Sequence, residues 1–552
     1  MKESLVELDD RQHVLAPNTP NTTDTPKGIE AAENPAQYLT GTRLYGVTTI
    51  LCLCLFLTNL EIPIVSTSLV GIAGDLGGLE KIYWITTAYL LGYGGVLVVC
   101  AKLSDIFGRK TCIITSIGIF VVFSAACGGA QTMNQLIVFR ALQGLGGAGN
   151  YAIATIIVVE MVPPEKYAQY SGGVASVFVL SLLFGPIWGG AITQHSTWRW
   201  IFLLNIPPGV IAIVSLVLVL PNGFPFHYKS PEARGTWGEA FMKAYHRIDI
   251  IGAFALTAAT VLLAAGLNEA DEEFTWRSAF TITVLVLSGL LWIFFTVWQR
   301  RVTLKATSVE PVFPWRFFKN RVWMAMLLNS IFLGMNWFAA IFIIPQRFEI
   351  VNGLSSFNAA VRLIPFSLLS PIGSLVSPGL AKGAKVPMMY FLVAGAAVQI
   401  VGYGLLGTLP TDGGIRAREY GYLVLAGFGC GLCTPILTLM TPFATEKQDH
   451  AVALGAVAQF RILGGSIGLA IVTAIQHSYL RTHLSNFLTE SVVEAVLDST
   501  AVIATLPSDT QAHVRETYGD SYNLQMNVLA GMAGIQLLTS FLMWQKNLIR
   551  AA

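Results

Sequence analysis

Charge is the first thing this 552-residue chain is short of. Asp, Glu, Lys and Arg make up 12% of it, about half of the ~25% that an ordinary soluble domain carries. So little charge cannot clothe a globular surface, and water is therefore not the chain's main solvent. The apolar majority, 54%, excludes disorder over most of the length, because a disordered chain needs the opposite composition. Cysteine is scarce and odd in number, seven in all, which excludes a disulfide-stapled secreted scaffold. No G-x-x-x-x-G-K-[ST] loop occurs. ATP is thus not bound through a phosphate loop, and uphill work would have to draw on an ion gradient. No His, Asp and Glu cluster falls in the apolar stretches, which argues against a membrane enzyme. A net charge of +2 gives no reason to expect a nucleic-acid partner, and no cofactor or metal ion is expected.

Long apolar runs are what the chain has instead. From Leu44 onward they recur with short polar breaks, starting near residues 44, 82, 111, 135, 168, 201, 248, 278, 322, 356, 387, 420, 451 and 523. About 20 apolar residues carry a helix across the ~30 Å hydrocarbon core. The runs are continuous rather than alternating, so barrel strands do not fit. The pattern predicts an all-α membrane protein with fourteen transmembrane helices. Residues 1–43 are polar and rich in Pro, Thr and Asn. They read as a disordered cytosolic tail; no apolar run follows a short basic start, so they do not form a signal peptide. Asn21-Thr22-Thr23 matches a glycosylation acceptor that would be inert on such a tail.

Orientation follows from the cations. Lys102, Arg109 and Lys110 precede the third span, and Arg300, Arg301, Lys305, Arg316, Lys319 and Arg321 precede the ninth, whereas the loop before the fourth has none. Positive-inside asymmetry then places both termini, including a short tail over 546–552, in the cytosol. The stretch 476–522 is a long extracellular loop. Within it, Glu490–Leu506 is weakly amphipathic and suits the membrane surface. A fifteenth span is the competing reading, made costly by Glu490, Glu494 and Asp498 at about 2.5–3.5 kcal/mol each near a helix centre.

Glycine is abundant, 52 residues, and it recurs in a pattern. The fourth span holds Gln143-Gly-Leu-Gly-Gly-Ala-Gly149 and the twelfth Ala426-Gly-Phe-Gly-Cys-Gly431; the loops Ala101–Lys110 and Gly379–Lys385 form a second, thinner pair. Both pairs match if spans 1–6 correspond to spans 9–14. The domains would then be a six-helix bundle over 44–221, a linker with two extra transmembrane helices over 222–320, and a second six-helix bundle over 321–545. Repeated bundles around a midplane site are a common plan for secondary transporters. Gly144, Gly146 and Gly149 also fit G-x-G-x-x-G, but inside an apolar span with no preceding strand. Close helix packing explains them better than a dinucleotide site. Cys430 and Cys433 form a C-x-x-C with no second ligand pair, which gives no metal site.

Several residues stand out as candidates for chemistry. Glu61 and Arg140 are ionisable groups inside spans, where a charge must face a cavity or a partner. Glu61, with Pro63 two residues on, could load and release protons; it could equally be a structural acid paired to Arg140 throughout. Arg140 could also snorkel to the nearby interface. Asp105 sits among Lys102, Arg109 and Lys110, where a carboxylate can pair with cations in one conformation and release them in another. That would make Asp105, Arg109 and Lys110 a conformational latch. Gly185, Pro186, Gly189 and Gly190 would kink the fifth span and let it approach a neighbour. Asn59, Asn336, Trp337, Gln346 and Gln459 are candidates for a substrate cavity, along with Asn329, or else bond between helices. Arg362 and Arg461 raise the same question as Arg140 and have no assigned role.

These segments together resemble a known family. Ala101-Lys-Leu-Ser-Asp-Ile-Phe-Gly-Arg-Lys110 resembles the loop motif G-x-L-a-D-r-x-G-r-k of the major facilitator superfamily, with Ala101 for the leading glycine. Leu136-Ile-Val-Phe-Arg140-Ala-Leu-Gln143-Gly144 resembles its fourth-helix motif. Ser181-Leu-Leu-Phe-Gly185-Pro186-Ile-Trp-Gly189-Gly190 resembles its antiporter motif, with Ser181 where glycine is usual. Trp198–Gly209 is similar to the fourteen-span drug:proton antiporters, and Pro311–Asn320 and Val361–Phe366 to fungal efflux pumps for toxins and secondary metabolites. The likeness runs from about residue 44 to 545. It implies the major facilitator fold, rocking-bundle alternating access, and proton-coupled export of small amphipathic organic compounds by a monomer. Small-molecule substrate, protons and the lipid bilayer would be the partners. Glu61, where the family usually has Asp, would be the proton carrier beside Arg140, and the fifth-span motif would bias the pump to export. The plasma membrane is the expected location, with a vacuolar or vesicular membrane as the alternative. A proton-independent facilitator or importer, and a channel, are the rival functions.

Overall fold

The computed structural model describes residues 38–66, 68–77, 81–82, 84–225, 245–270, 276–305, 309–498 and 500–550. The polar tail expected over 1–43 lies outside these up to residue 37, as do residues 551–552. Among the described residues the architecture is wholly helical, with one isolated bridge between Ile248 and Glu310. Helix is what the apolar runs require, because it pairs every backbone N–H and C=O within the segment and leaves none facing hydrocarbon.

The first half is built from α1 (Gly41–Ser66), the short α2 (Leu69–Leu76), α3 (Trp84–Phe107), α4 (Arg109–Gly128), α5 (Met133–Glu160), α6 (Tyr167–His195), and the broken pair α7 (Arg199–Leu203) and α8 (Ile206–Val219). Next come α9 (Ile250–Asn268) and α10 (Ala279–Lys305). The rest comprises α11 (Arg316–Lys319), α12 (Arg321–Ile350), α13 (Ser356–Arg362), α14 (Ile364–Gly383), α15 (Met388–Leu406), α16 (Ala417–Ala444), α17 (His450–Leu484), α18 (Glu490–Asp498) and α19 (Ser508–Phe541). Local signals set the boundaries. Thr132, Asp249 and Asn320 cap α5, α9 and α12, each side chain accepting a free N–H of the first turn. Gly108, at φ +91°, makes the reversal between α3 and α4 that a side chain would resist.

Twelve of these helical segments are long and apolar enough to cross a membrane, α7–α8 and α13–α14 each counting as one. The helix α19 is outside that set, although at 34 residues it has the length; the 29-residue α6 is described only in part, several of its side chains lying outside the described residues. Large apolar side chains such as Leu218, Phe254, Ile293 and Leu538 stand on the outer faces at 64–78% exposure, as a lipid-facing surface demands. The stretch expected either to lie on the surface or to form a fifteenth span is the nine-residue α18 followed by a short 3₁₀ turn. That is too short to cross.

Packing repeats between the halves. Helices α3 and α4 flank α5, and α1 lies on α6; in the same way α14 and α15 flank α16, and α12 lies on α17. The repeated glycines explain the closeness. A Cβ on Gly144 would stand 2.3 Å from the Tyr89 carbonyl oxygen, and one on Gly146 2.5 Å from the Phe120 nitrogen. Likewise a Cβ on Gly427 would stand 2.2 Å from the Phe366 oxygen, and one on Gly431 2.0 Å from that of Ser370. Both motifs are therefore packing surfaces. The halves meet where α6 contacts α14 and α3 contacts α17, and α9 packs over the α3–α17 seam.

Candidate transport site

Glu61 is buried in α1, with its carboxylate enclosed by donors from two other helices. Arg140 Nη1 of α5 donates to Oε2 at 2.6 Å, Gln143 Nε2 to Oε1 at 2.9 Å, and Asn205 Nδ2, at the start of α8, also to Oε1. The pair has no exposed side-chain surface. Arg140 in turn donates to Gln143 Oε1 and to the Ile85 carbonyl, and its guanidinium carbon lies 4.3 Å from the centre of the Tyr89 ring. Gln143 reaches on to Ser124 of α4 at 2.7 Å. A buried charge survives only when paired and hydrogen-bonded, and this one is both. Arg140 therefore does not snorkel. Gln143 lies one turn from Arg140 on the same helical face, and Asn205 occupies the break between α7 and α8; neither position was marked as a site by its sequence context alone.

The second polar cluster closes the α3–α4 turn. Arg109 is 2% exposed and pairs with Asp105 at 2.6 Å and with Glu160, at the end of α5, at 2.7 Å; it also donates to Ser104 Oγ. Glu160 is the partner that sequence reading missed, being distant along the chain. Lys110 is not in this cluster. Its ammonium donates to the Val217 and Leu220 carbonyls and to Asn222 Oδ1, where it satisfies the C-terminal end of α8. Of the expected Asp105, Arg109 and Lys110, the structure brings together Asp105 and Arg109 and adds Glu160, while Lys110 meets a helix end instead.

In the antiporter-like segment, Gly185 is the position that geometry demands. A Cβ there would fall 2.5–2.6 Å from ring atoms of Pro63, so α6 rides directly on the α1 proline. Nothing lies within 4 Å of a Cβ built on Gly190. Gly189 is buried and its carbonyl accepts from Thr193. Pro186 lies within α6, its side chain outside the described residues.

Between the halves lies a cavity of about 760 Å³, its open mouth included. Helices α1, α5 and α6 wall it from one side and α12, α14, α16 and α17 from the other. Of the residues proposed from sequence, Asn59 and Trp337 line it. The remaining three do not. Asn336 is buried among Gln399, Gln536 and Tyr403 within the second half. Gln459 faces α3, accepting from the Val98 N–H and donating to Thr260 of α9. Gln346 is exposed on α12. Asn329 bonds to Gln536, Thr539 and Ser540 of α19. A polar residue in an apolar run thus joins helices more often here than it faces the cavity. Arg461, which had no role, is on the cavity wall and donates to Tyr151 Oη at 2.9 Å. Arg362 meets Tyr420 instead. Glu61 is not on the wall, though Asn59 two residues earlier is.

The Major Facilitator Superfamily model matches residues 51–469. The chain belongs to that superfamily. It is 39% identical over 545 residues to the MFS-type transporter FPY5 of Fusarium mangiferae, which covers 99% of this chain and 91% of the relative. The multidrug transporter protein MdtP of Bacillus subtilis is 28% identical over 443 residues, covering 80% and 76%. Among solved structures, a bacterial homologue of the lysosomal transporter Spinster, inward-facing and unoccupied, superposes with a TM-score of 0.56 at 14% identity, covering 92% of this chain and all of that one; this likeness carries the fold. As a superfamily member the chain is a multi-pass integral membrane transporter rather than an enzyme, and its relatives include proteins named efflux pumps from fungi.

Proposed function

We propose that this transporter exports small amphipathic organic compounds, such as drugs or secondary metabolites, in exchange for protons. The observation that carries the reading is a cavity walled by helices of both halves and lined by aromatic, hydroxyl and amide groups, the kind of surface such compounds fit. The names of relatives, multidrug transporter and efflux pump, agree with it. Under this reading α6 and α19 also span the bilayer, for fourteen spans in two six-helix bundles with α9 and α10 inserted. Both termini are cytosolic, the chain works as a monomer, and the plasma membrane is its location.

The end of the molecule carrying the α3–α4 turn is then the cytosolic one, and it is closed here. Gly455 of α17 sits against Ala101 of α3, where a Cβ would be 2.9 Å from that of Ala101, and Lys382 reaches the Glu165 carbonyl. The Asp105–Arg109–Glu160 cluster would hold this state. Coupling would run through Glu61, whose bonds tie α1 to α5 and α8. Protonation removes the charge that holds Arg140 and so loosens that half from within, while substrate binds at Asn59, two residues away on another face of α1. Each ligand shifts the same two-state equilibrium.

The rival reading is that Glu61 is a structural counter-ion and transport is proton-independent; its complete set of donors in this state favours that rival. Glu61→Gln separates the two. In proteoliposomes with an imposed pH gradient, the variant is expected to keep substrate binding but lose gradient-driven accumulation by at least about tenfold. Unchanged, uncoupler-insensitive transport by Glu61→Gln would reject antiport.

A further inference from the structure

The cavity wall carries a cation and no acid. Among its sixteen described lining residues, Arg461 is the one charged side chain, and no Asp or Glu is present. Arg461 is only 8% exposed. The other two buried arginines of the polar clusters are neutralised: Arg140 by Glu61, and Arg109 by Asp105 and Glu160. Arg461 has the neutral Tyr151 hydroxyl as its hydrogen-bond acceptor, and no ion pair to it is found among the described residues. Its backbone is fixed as well. A Cβ on Gly334 would stand 1.9 Å from the Arg461 carbonyl oxygen, so α17 is pressed onto α12 at that residue and the guanidinium projects from a rigid base.

A buried guanidinium with a neutral partner leaves a positive potential in a low-dielectric space. A carboxylate relieves it with two parallel N–H···O bonds, in the planar geometry that Arg presents and Lys does not. The remainder of the wall suits what such an anion would be attached to. Leu55, Val158, Val174, Phe178 and Trp337 supply an apolar slot, with the Phe178 and Trp337 ring centres 4.8 Å apart. Hydroxyls of Thr155, Ser171, Ser370, Ser374, Thr434 and Thr438 are distributed around it. Thr155, Ser374 and Thr434 donate their protons to backbone carbonyls, which leaves lone pairs that accept from hydroxyls on a ligand.

Building on the efflux reading, we propose that the cavity selects organic anions. The compound has an apolar, oxygen-bearing body and one carboxylate or comparably acidic oxygen, and that oxygen seats on Arg461. Lipophilic cations are excluded, because no acid stands on the wall to receive them.

A matched series of fluorescent probes tests this: 7-methoxycoumarin bearing a carboxylate, a neutral methyl amide or a trimethylammonium group. Binding to the purified full chain in detergent is read from probe anisotropy, and transport separately in proteoliposomes. The carboxylate is expected to bind at least about tenfold more tightly than the cation. Arg461→Gln should weaken carboxylate binding by about 10- to 100-fold, the worth of a charge-assisted bond, while leaving the amide within about twofold. Arg461→Lys should restore part of the preference, because it keeps the charge without the fork. Equal or tighter binding of the cation, binding of none of the three, or an unchanged carboxylate preference in Arg461→Gln would overturn the proposal. Selective binding without gradient-driven transport would leave it standing and reject proton-coupled efflux instead.

Discussion

At the residue scale, charges in this protein are settled by who stands opposite them. Glu61 meets Arg140, and Arg109 meets Glu160 from 51 positions away. Glu310 is a third example, outside the spanning helices. Lys102 of α3 bonds its Oε2 at 2.6 Å, and Arg247 takes its other oxygen. Burial alone would raise the carboxyl's pKa, but these two cations outweigh it and hold the group below the ordinary glutamate range. The unfolded chain therefore takes up the proton at higher pH than the folded one. The stabilisation is whole above the unfolded value of about 4.3 and is lost as pH falls through the folded value. Glu310 is 35% exposed, so solvent screening limits the effect to about 1 kcal/mol or less. Glu310→Gln should lower the thermal unfolding midpoint slightly and evenly from neutral pH to about 5. The difference should vanish as the pH drops toward 3 and below; a constant difference down to that pH would trace the effect to something other than this charge.

At the element scale, helices touch where glycine lets them. Gly185 lies against the Pro63 ring with no room for a methyl group, and Gly190, one turn and a half further along α6, faces open space. The proline ring is rigid, so Gly185→Ala must displace α6 from α1. Overpacking of this kind costs about 1–3 kcal/mol, and because α1 also carries Glu61 the transport rate should fall as well. Gly190→Ala should leave both thermal stability and transport near the parent level. If the two variants behave alike, the motif acts by something other than contact with α1. The spacing of glycines in the sequence marks α6 as a packing helix, but which glycine bears on a neighbour is a matter of which face the bundle turns inward.

At the scale of the whole molecule, the two halves meet along α3–α17 and α6–α14, and alternating access requires such seams to part. Ala101→Cys combined with Gly455→Cys, with the seven native cysteines replaced, brings two thiols together where the Cβ positions are 2.9 Å apart. The usual disulfide spacing is about 3.8 Å, within reach of a small adjustment. Oxidation is expected to form the cross-link and stop transport, and a reductant to restore it. Transport that continues through the cross-linked form would show that this seam does not open during the cycle.

Much of the protein was legible before any coordinates. Low charge and unbroken apolar runs determine a helical membrane protein, since lipid leaves the backbone no other way to satisfy its polar groups. The loop and glycine motifs point to the superfamily, and two intramembrane charges, Glu61 and Arg140, predict each other because neither can be buried unpaired. The tertiary structure alone decided which polar residues face the cavity. Asn336 and Gln459 look no different in sequence from Asn59, yet they bond between helices, while Arg461, which the sequence left without a role, stands on the wall. The physical reason is rotational. In a helix that is apolar all round, periodicity does not reveal which face turns inward. Only contact with the neighbouring helices fixes that rotation, and with it the surface that meets the substrate.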